Sequence, residues 1–255
     1  MLNSHHPNAD VSHAGGLIRS GRAAEAIPIL SAYLSQHPTD TWVLSERAYA
    51  KKFTGDYAGA IEDRTEIVRL KPDSPHSFTG RGNVLADVGE LRAAIKDFSS
   101  AIELDPKLAS AYLWRGRAKV QLGELHSALQ DFTAAMNDHQ TGPGSGLINR
   151  GKTYFLLGDF DAAIRDLTAA LELHPFPCIH SALYRGIARK SAHDYEGAIA
   201  DFTLVIEKCS QISNAYRHRA EARRMMGDVS GAEADRLEYE RLGGADLPAF
   251  TLPEG

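Results

Sequence analysis

Residues Gly146 to Thr153, GLINRGKT, carry the spacing of a phosphate-cradling P-loop: glycine, four residues, glycine, lysine, threonine. In that chemistry successive backbone N–H groups surround a phosphate and the lysine reaches its oxygens. The loop works only when a strand precedes it and a helix starts at its end, so that the amides face the phosphate instead of bonding within the chain. Cys178 and His180, with His174 nearby, are a second grouping, of types that could ligate a metal or pair a nucleophile with a base. No second cysteine pair or ligand-spaced histidine motif accompanies them, so no metal and no catalytic residue are expected there. A third set recurs along the chain. Arginine precedes aspartate by sixteen residues in Arg47 and Asp63, Arg81 and Asp97, Arg115 and Asp131, Arg150 and Asp166, Arg185 and Asp201, and Arg219 and Asp235. A catalytic or ligand site has no use for six copies, and the pairs are expected to be structural, within a hairpin or between a hairpin and its neighbour.

The whole chain sets wide bounds. Its 255 residues are 43% hydrophobic and 24% charged with a net charge of -5, which lacks the basic excess of nucleic-acid binders. No apolar run approaches the ~18 residues of a membrane span. The polar start, with His5, His6 and His13 in an expected frayed leader, has no secretory pattern, so a cytoplasmic location is expected. Two cysteines are too few for a disulfide framework and are expected to be thiols.

The elements that hold these residues follow a fixed beat. RGNVLADVGELRAAIKDF (Arg81 to Phe98) returns as RGRAKVQLGELHSALQDF from Arg115, RGKTYFLLGDFDAAIRDL from Arg150 and RGIARKSAHDYEGAIADF from Arg185. The turn positions Gly21, Gly55, Gly89, Gly123, Gly158, His193 and Gly227 are spaced by 34, 34, 34, 35, 35 and 34 residues, which makes seven repeats. Apolar residues recur at three- and four-residue intervals on both sides of each turn, the period of paired amphipathic helices, and no stretch alternates as a strand does. Pro38, Pro72, Pro106 and Pro175 follow the second helices, where proline stops a helix. An all-α array of about seven helical hairpins is expected.

Numbered from one within each repeat, position eight is small (Ala14, Ala48, Gly82, Gly116, Gly151, Gly186, Ala220) and position twenty is alanine throughout (Ala26, Ala60, Ala94, Ala128, Ala163, Ala198, Ala232). Position twenty-four often carries an aromatic residue or leucine, as in Phe98, Phe132, Leu167 and Phe202. On these columns, with the 34-residue period, the chain resembles the tetratricopeptide repeat family. The resemblance implies a right-handed superhelical solenoid. It implies repeats at about 10–40, 41–74, 75–108, 109–143, 144–178, 179–212 and 213–242, between a flexible leader at 1–9 and a tail at 243–255. The joints near 140–146 and 175–180 run one residue long, and loop variation is expected there, with a hinge as the alternative.

The same frame re-reads GLINRGKT. Arg150 and Gly151 stand where Arg81 and Gly82 stand, inside a first helix, whose amides are committed to hydrogen bonds. No nucleotide, cofactor or enzymatic activity is expected. The family resemblance implies instead a concave groove lined by positions two, five, nine, twelve and thirteen of the first helices. Its candidate contacts are Asn83, Leu113, Arg117, Ile148, Asn149, Lys152, Phe155, Leu183 and Lys190, an apolar surface with a basic line. The expected ligand is a protein or peptide segment with hydrophobic and acidic side chains, bound by an adaptor or scaffold. The alternative is a self-associating structural component, and a remote one is nucleotide binding through Gly146 to Thr153. The family's carboxylate clamp for chaperone tails is not reproduced: Thr79 and Asn83 are followed by Trp114, then by Ser145 and Asn149.

Overall fold

Each repeat folds as two helices because its glycine turn separates two amphipathic stretches. In a computed structural model, residues 8–137, 143–173 and 179–244 are described. The two longer joints fall partly outside them, at 138–142 and 174–178, with Gln140, Gly142, His174, Pro175 and Cys178, as do His5 and His6. Among the described residues there are fourteen helices and no strand. In order they are α1 (Ala9–Arg19), α2 (Ala23–Gln36), α3 (Thr41–Phe53), α4 (Tyr57–Leu70), α5 (Pro75–Asp87), α6 (Leu91–Leu104) and α7 (Ala109–Gln121). They continue with α8 (Leu125–Ala135), α9 (Gly144–Leu156), α10 (Phe160–Glu172), α11 (Ile179–Ser191), α12 (Tyr195–Lys208), α13 (Ser213–Met225) and α14 (Val229–Arg241).

The chain divides into two compact units, one through Ala118 and one from Lys119. In the first, α1 pairs with α2, α3 with α4 and α5 with α6; α2 packs on α3 and α4 on α5. In the second, α9 pairs with α10, α11 with α12 and α13 with α14, while α8 packs on α9, α10 on α11 and α12 on α13. In each of these hairpins the odd-numbered helix comes first. His13 lies within α1 and is exposed, which corrects the expectation that it belongs to a frayed leader; the helix forms because Asn8 Oδ1 accepts from the N–H groups of Asp10 and Val11.

Local chemistry explains the hairpins. The turn glycines take the left-handed backbone, as at Gly158 (φ 79°), and His193 is forced into the same region at φ 63°. Aspartate follows the turn in four hairpins and caps the second helix. Asp56, Asp159, Asp194 and Asp228 each accept, at 2.9 to 3.0 Å, from the N–H three residues on.

The small columns make room for packing. All seven alanines at position twenty are fully buried at 0% exposure, so no larger side chain has space there. A Cβ added at Gly82 would lie 2.8 Å from the Phe98 ring, and one at Gly186 would lie 2.7 Å from the Phe202 ring. At Gly151 it would lie 2.9 Å from Leu167 Cγ. At these three sites position eight is therefore small because the apolar residue sixteen places later, fully buried, occupies its volume.

The repeated ion pair closes five of the hairpins, those of Arg47, Arg81, Arg150, Arg185 and Arg219. Arg81 Nε and Nη2 donate to Asp97 at 2.8 and 2.7 Å; Arg150 does so to Asp166 at 2.7 and 2.8 Å, and Arg219 to Asp235 at 2.9 and 2.7 Å. The side-chain bond to aspartate holds Arg81 and Arg150 above the ordinary arginine pKa, against the opposing effect of burial. Several arginines also reach the preceding hairpin through Nη1: Arg47 to Ser31, Arg150 to Thr133 and Arg219 to Thr203, at 3.0 to 3.1 Å. The pair is thus both intra-hairpin and inter-hairpin. Arg115 and Asp131 belong to different units; within its own unit Asp131 is bridged by Lys119 at 2.8 Å.

Candidate functional site

GLINRGKT is helical throughout, within α9. Its threonine hydroxyl is turned back onto the helix, Thr153 Oγ1 donating to Asn149 O at 2.8 Å, and its second glycine faces Leu167. Helical amides bond to the preceding turn, so this stretch forms no phosphate cradle. Among the described residues no group of three or more His, Cys, Asp or Glu side chains is arranged to hold a metal.

The candidate groove residues lie on first helices of both units. Asn83 (α5), Leu113 and Arg117 (α7) belong to the first; Ile148, Asn149, Lys152 and Phe155 (α9), Leu183 and Lys190 (α11) belong to the second. In the first unit the Arg117 guanidinium stacks 4.8 Å from the centroid of Trp114, which is 39% exposed. A cation over an indole face is a favourable contact and presents charge and aromatic surface together. Leu113 is half-buried beside them.

In the second unit Lys152 on α9 crosses to α11, its Nζ 3.9 Å from the centroid of the half-buried Tyr184. Ile148 and Phe155 flank it, both partly exposed, with the Phe155 ring 5.6 Å from Phe160. Asn149 donates to Ser145 O at 2.7 Å. Two expected contacts change character. Leu183 is 3% exposed and packs into the core with Phe202 and Val205, so it supports this face from beneath instead of meeting a ligand. Lys190 ion-pairs with Glu221 of α13, and its Nζ lies 3.0 Å from His218 Nδ1. The basic line therefore does not run unopposed to the last repeat, because an acidic residue occupies position nine there.

That polar cluster has its own electrostatics. The His218 imidazole stacks on Phe202 and is held below its ordinary pKa, first by burial and then by Lys190 and Arg217, against the pull of Glu221. Bonding to His218 and Lys190 brings the Glu221 carboxyl down to about 2, with burial acting in the opposite direction. Tyr184 and His218 escaped the sequence reading because both stand at position six, outside the five columns taken to line the groove, and of that column only Asn149 was named as a candidate contact. The signal was present: Trp114, Asn149, Tyr184 and His218 form one column.

Two sequence models of one family match the chain, one described as TPR repeat over residues 82–123 and one as tetratricopeptide repeat over residues 145–177. The chain carries tetratricopeptide repeats. Solved structures share this fold. A tetratricopeptide repeat protein from Parabacteroides merdae aligns with a TM-score of 0.69 at 18% identity, over 92% of this chain and 92% of that one. YrrB, described as a TPR protein with an unusual peptide-binding site, aligns with a TM-score of 0.59 at 19% identity, over 72% of this chain and 94% of its own. The APC/C hetero-tetramer Cut9–Hcn1 gives a TM-score of 0.69 at 18% identity; 96% of this chain aligns, spanning about half, 48%, of that one. No curated protein matches the sequence. Tetratricopeptide repeats serve protein association, and no helix among the described residues is long and apolar enough to cross a membrane.

Proposed function

We propose that the protein is a non-enzymatic adaptor or scaffold that binds a peptide or protein segment along the groove face of its first helices. The observation that carries this reading is Lys152 held over Tyr184 on the neighbouring first helix, beside the partly exposed Ile148 and Phe155. That arrangement sets a cation on an apolar and aromatic floor, which suits a segment with hydrophobic anchors and acidic side chains. Arg117 on Trp114 repeats the motif in the first unit. YrrB, of the same fold, is described as having a peptide-binding site, which supports a peptide as the ligand class. Lys152→Glu should weaken binding of peptides selected on the wild-type chain, with an unchanged helical spectrum; equal affinity for the variant would remove the Lys152 surface from the mechanism. The proposal includes a cytoplasmic location, which fractionation of the expressing cells checks.

A second reading is self-association. Met225, Met226 and Val229, 56 to 72% exposed, cluster at the turn of the last hairpin, a patch that a second copy can cover. The outer side of α14 is instead dressed in ion pairs, Arg236 with Glu233 and Glu240, and Arg241 with Glu238, as suits the end of a repeat stack. A molar mass independent of concentration in light scattering would exclude self-association.

A further inference from the structure

The second repeat breaks the column that fills the space between hairpins. At position twenty-four Leu30, Phe98, Phe132, Leu167 and Phe202 are 0 to 1% exposed, whereas the second repeat places Arg64 there, on α4; the seventh repeat also carries an arginine, Arg236, but that one is paired with Glu233 and Glu240. Its guanidinium is half-buried and reaches the first-helix face. Nη1 donates to Ser45 Oγ on α3 at 2.9 Å, the one hydrogen bond Arg64 makes among the described residues. Nε is buried without a partner, while Nη2, also without one, is not shut off from the surface. A guanidinium carries five N–H donors, and one neutral hydroxyl leaves most of them unanswered.

The nearby acids do not neutralise it. Asp63 is taken by Arg47 and by Lys51, at 2.6 and 3.0 Å. Glu46 bears on the ionisation of Arg64 but forms no ion pair with it. Burial lowers the Arg64 pKa and raises that of Glu46, as expected for charges removed from water without a direct partner.

The first helix of the next repeat opens over this cation. At position six the other repeats carry Ser12, Glu46, Trp114, Asn149, Tyr184 and His218; the third carries Gly80. A Cβ on Gly80 would lie 3.0 Å from Arg64 Nη1 and 3.4 Å from Cζ, so the guanidinium occupies space that a side chain would take. One turn along α5, Asn83 Oδ1 is buried without a partner as well. All of these residues lie in the first unit.

We infer that Arg64, reached past Gly80, is the floor of a carboxylate-binding subsite that takes one aspartate or glutamate side chain of a peptide bound on the first-helix face. This rests on the groove reading above and adds a determinant from a second helix. The planar fork of arginine matches a carboxylate. Arg64 and Arg19 set against Glu46 leave one positive charge, which one carboxylate balances, whereas a phosphate dianion would add repulsion.

The test uses the purified full chain and a displayed library of random peptides. Selected peptides, synthesised with a fluorophore, are expected to contain Asp or Glu. Changing that residue to its amide should weaken binding to the wild type about tenfold, the scale of a charge-assisted bond. The same change should leave binding to Arg64→Leu nearly unaltered. Arg64→Leu restores the residue type of Leu30 and Leu167, so its fold, checked by circular dichroism, is retained. Gly80→Ala keeps the charge but crowds the opening, and should weaken the acidic peptides selectively. An equal loss from the acid-to-amide change in wild type and Arg64→Leu overturns the subsite and leaves the groove reading standing. So does tighter binding when phosphoserine replaces the acid. Failure to select any peptide overturns both readings.

Discussion

Arg185 forks onto Asp201 within one hairpin, Nε 3.0 Å from Oδ2 and Nη2 2.6 Å from Oδ1, while Nη1 donates to Thr168 of the preceding hairpin at 3.1 Å. Asp201 is 2% exposed and also accepts from Arg189 at 3.0 Å. One carboxylate thus organises two cations, and one of those cations joins two hairpins. Removing the carboxylate leaves both cations short of a partner in a poorly solvated place. Asp201→Ala should destabilise the chain by about 3 kcal/mol, and Thr168→Val by about 1 kcal/mol. Urea unfolding measures both. An unmoved midpoint for Asp201→Ala would show that the fork is solvated and idle.

His193 holds the left-handed turn that glycine holds elsewhere, with its Nδ1 2.8 Å from the Tyr195 hydroxyl. A side chain in that region is strained by roughly 1 to 2 kcal/mol, and an exposed contact recovers only part of it. His193→Gly should therefore raise stability by about 0.5 to 1 kcal/mol. A lower midpoint for the glycine variant would mean that the histidine–tyrosine contact outweighs the strain.

Gly186 and Phe202 share one volume. Gly186→Ala places a Cβ 2.7 Å from the ring and should destabilise by about 1 to 3 kcal/mol. The first repeat already combines alanine with leucine, at Ala14 and Leu30, both fully buried. Gly186→Ala with Phe202→Leu is therefore expected to cost less than the sum of the two single changes, read from a double-mutant cycle. Simple additivity would separate the two positions energetically.

Acid should loosen the last two hairpins before the rest of the second unit. His218 faces Lys190 from α11, Phe202 from α12, and Arg217 and Glu221 on its own helix. Its folded pKa lies below the ordinary 6.5, so the unfolded chain binds more protons in that window, and stability present above about pH 6.5 is lost as pH falls. Glu221, lowered from 4.5 to about 2, acts in the same direction, its contribution being lost as pH falls from 4.5 towards 2. Hydrogen exchange of α13 between pH 7 and 5 should show this trend, and His218→Gln should flatten it. The same slope in the variant would assign the effect to other groups.

The periodic features were legible because each arises from chemistry within one hairpin. Glycine at the turn, aspartate after it, alanine at position twenty and the apolar spacing fix helix ends and buried faces by local rules. The match between Gly82 and Phe98 appeared in the sequence only as two separate columns; their mutual fit is a distance across a helix pair. The candidate face was harder to read. Leu183 and Phe155 are both apolar residues of first helices, yet one is sealed into the core and the other is partly exposed, and rotation of a packed helix decides between them.

Sequence alone determined that this protein is built of repeated helical hairpins, because a 34-residue beat of small and apolar residues has one way to bury itself. It also determined that GLINRGKT is a helix, since Arg150 and Gly151 keep that beat. Only the tertiary structure decided which charges remain available. Lys190 is met by Glu221 from the next hairpin, whereas Arg64 enters the inter-hairpin space with one hydroxyl for company. Charge pairing depends on distances of a few ångströms between helices, and a one-dimensional pattern does not carry them.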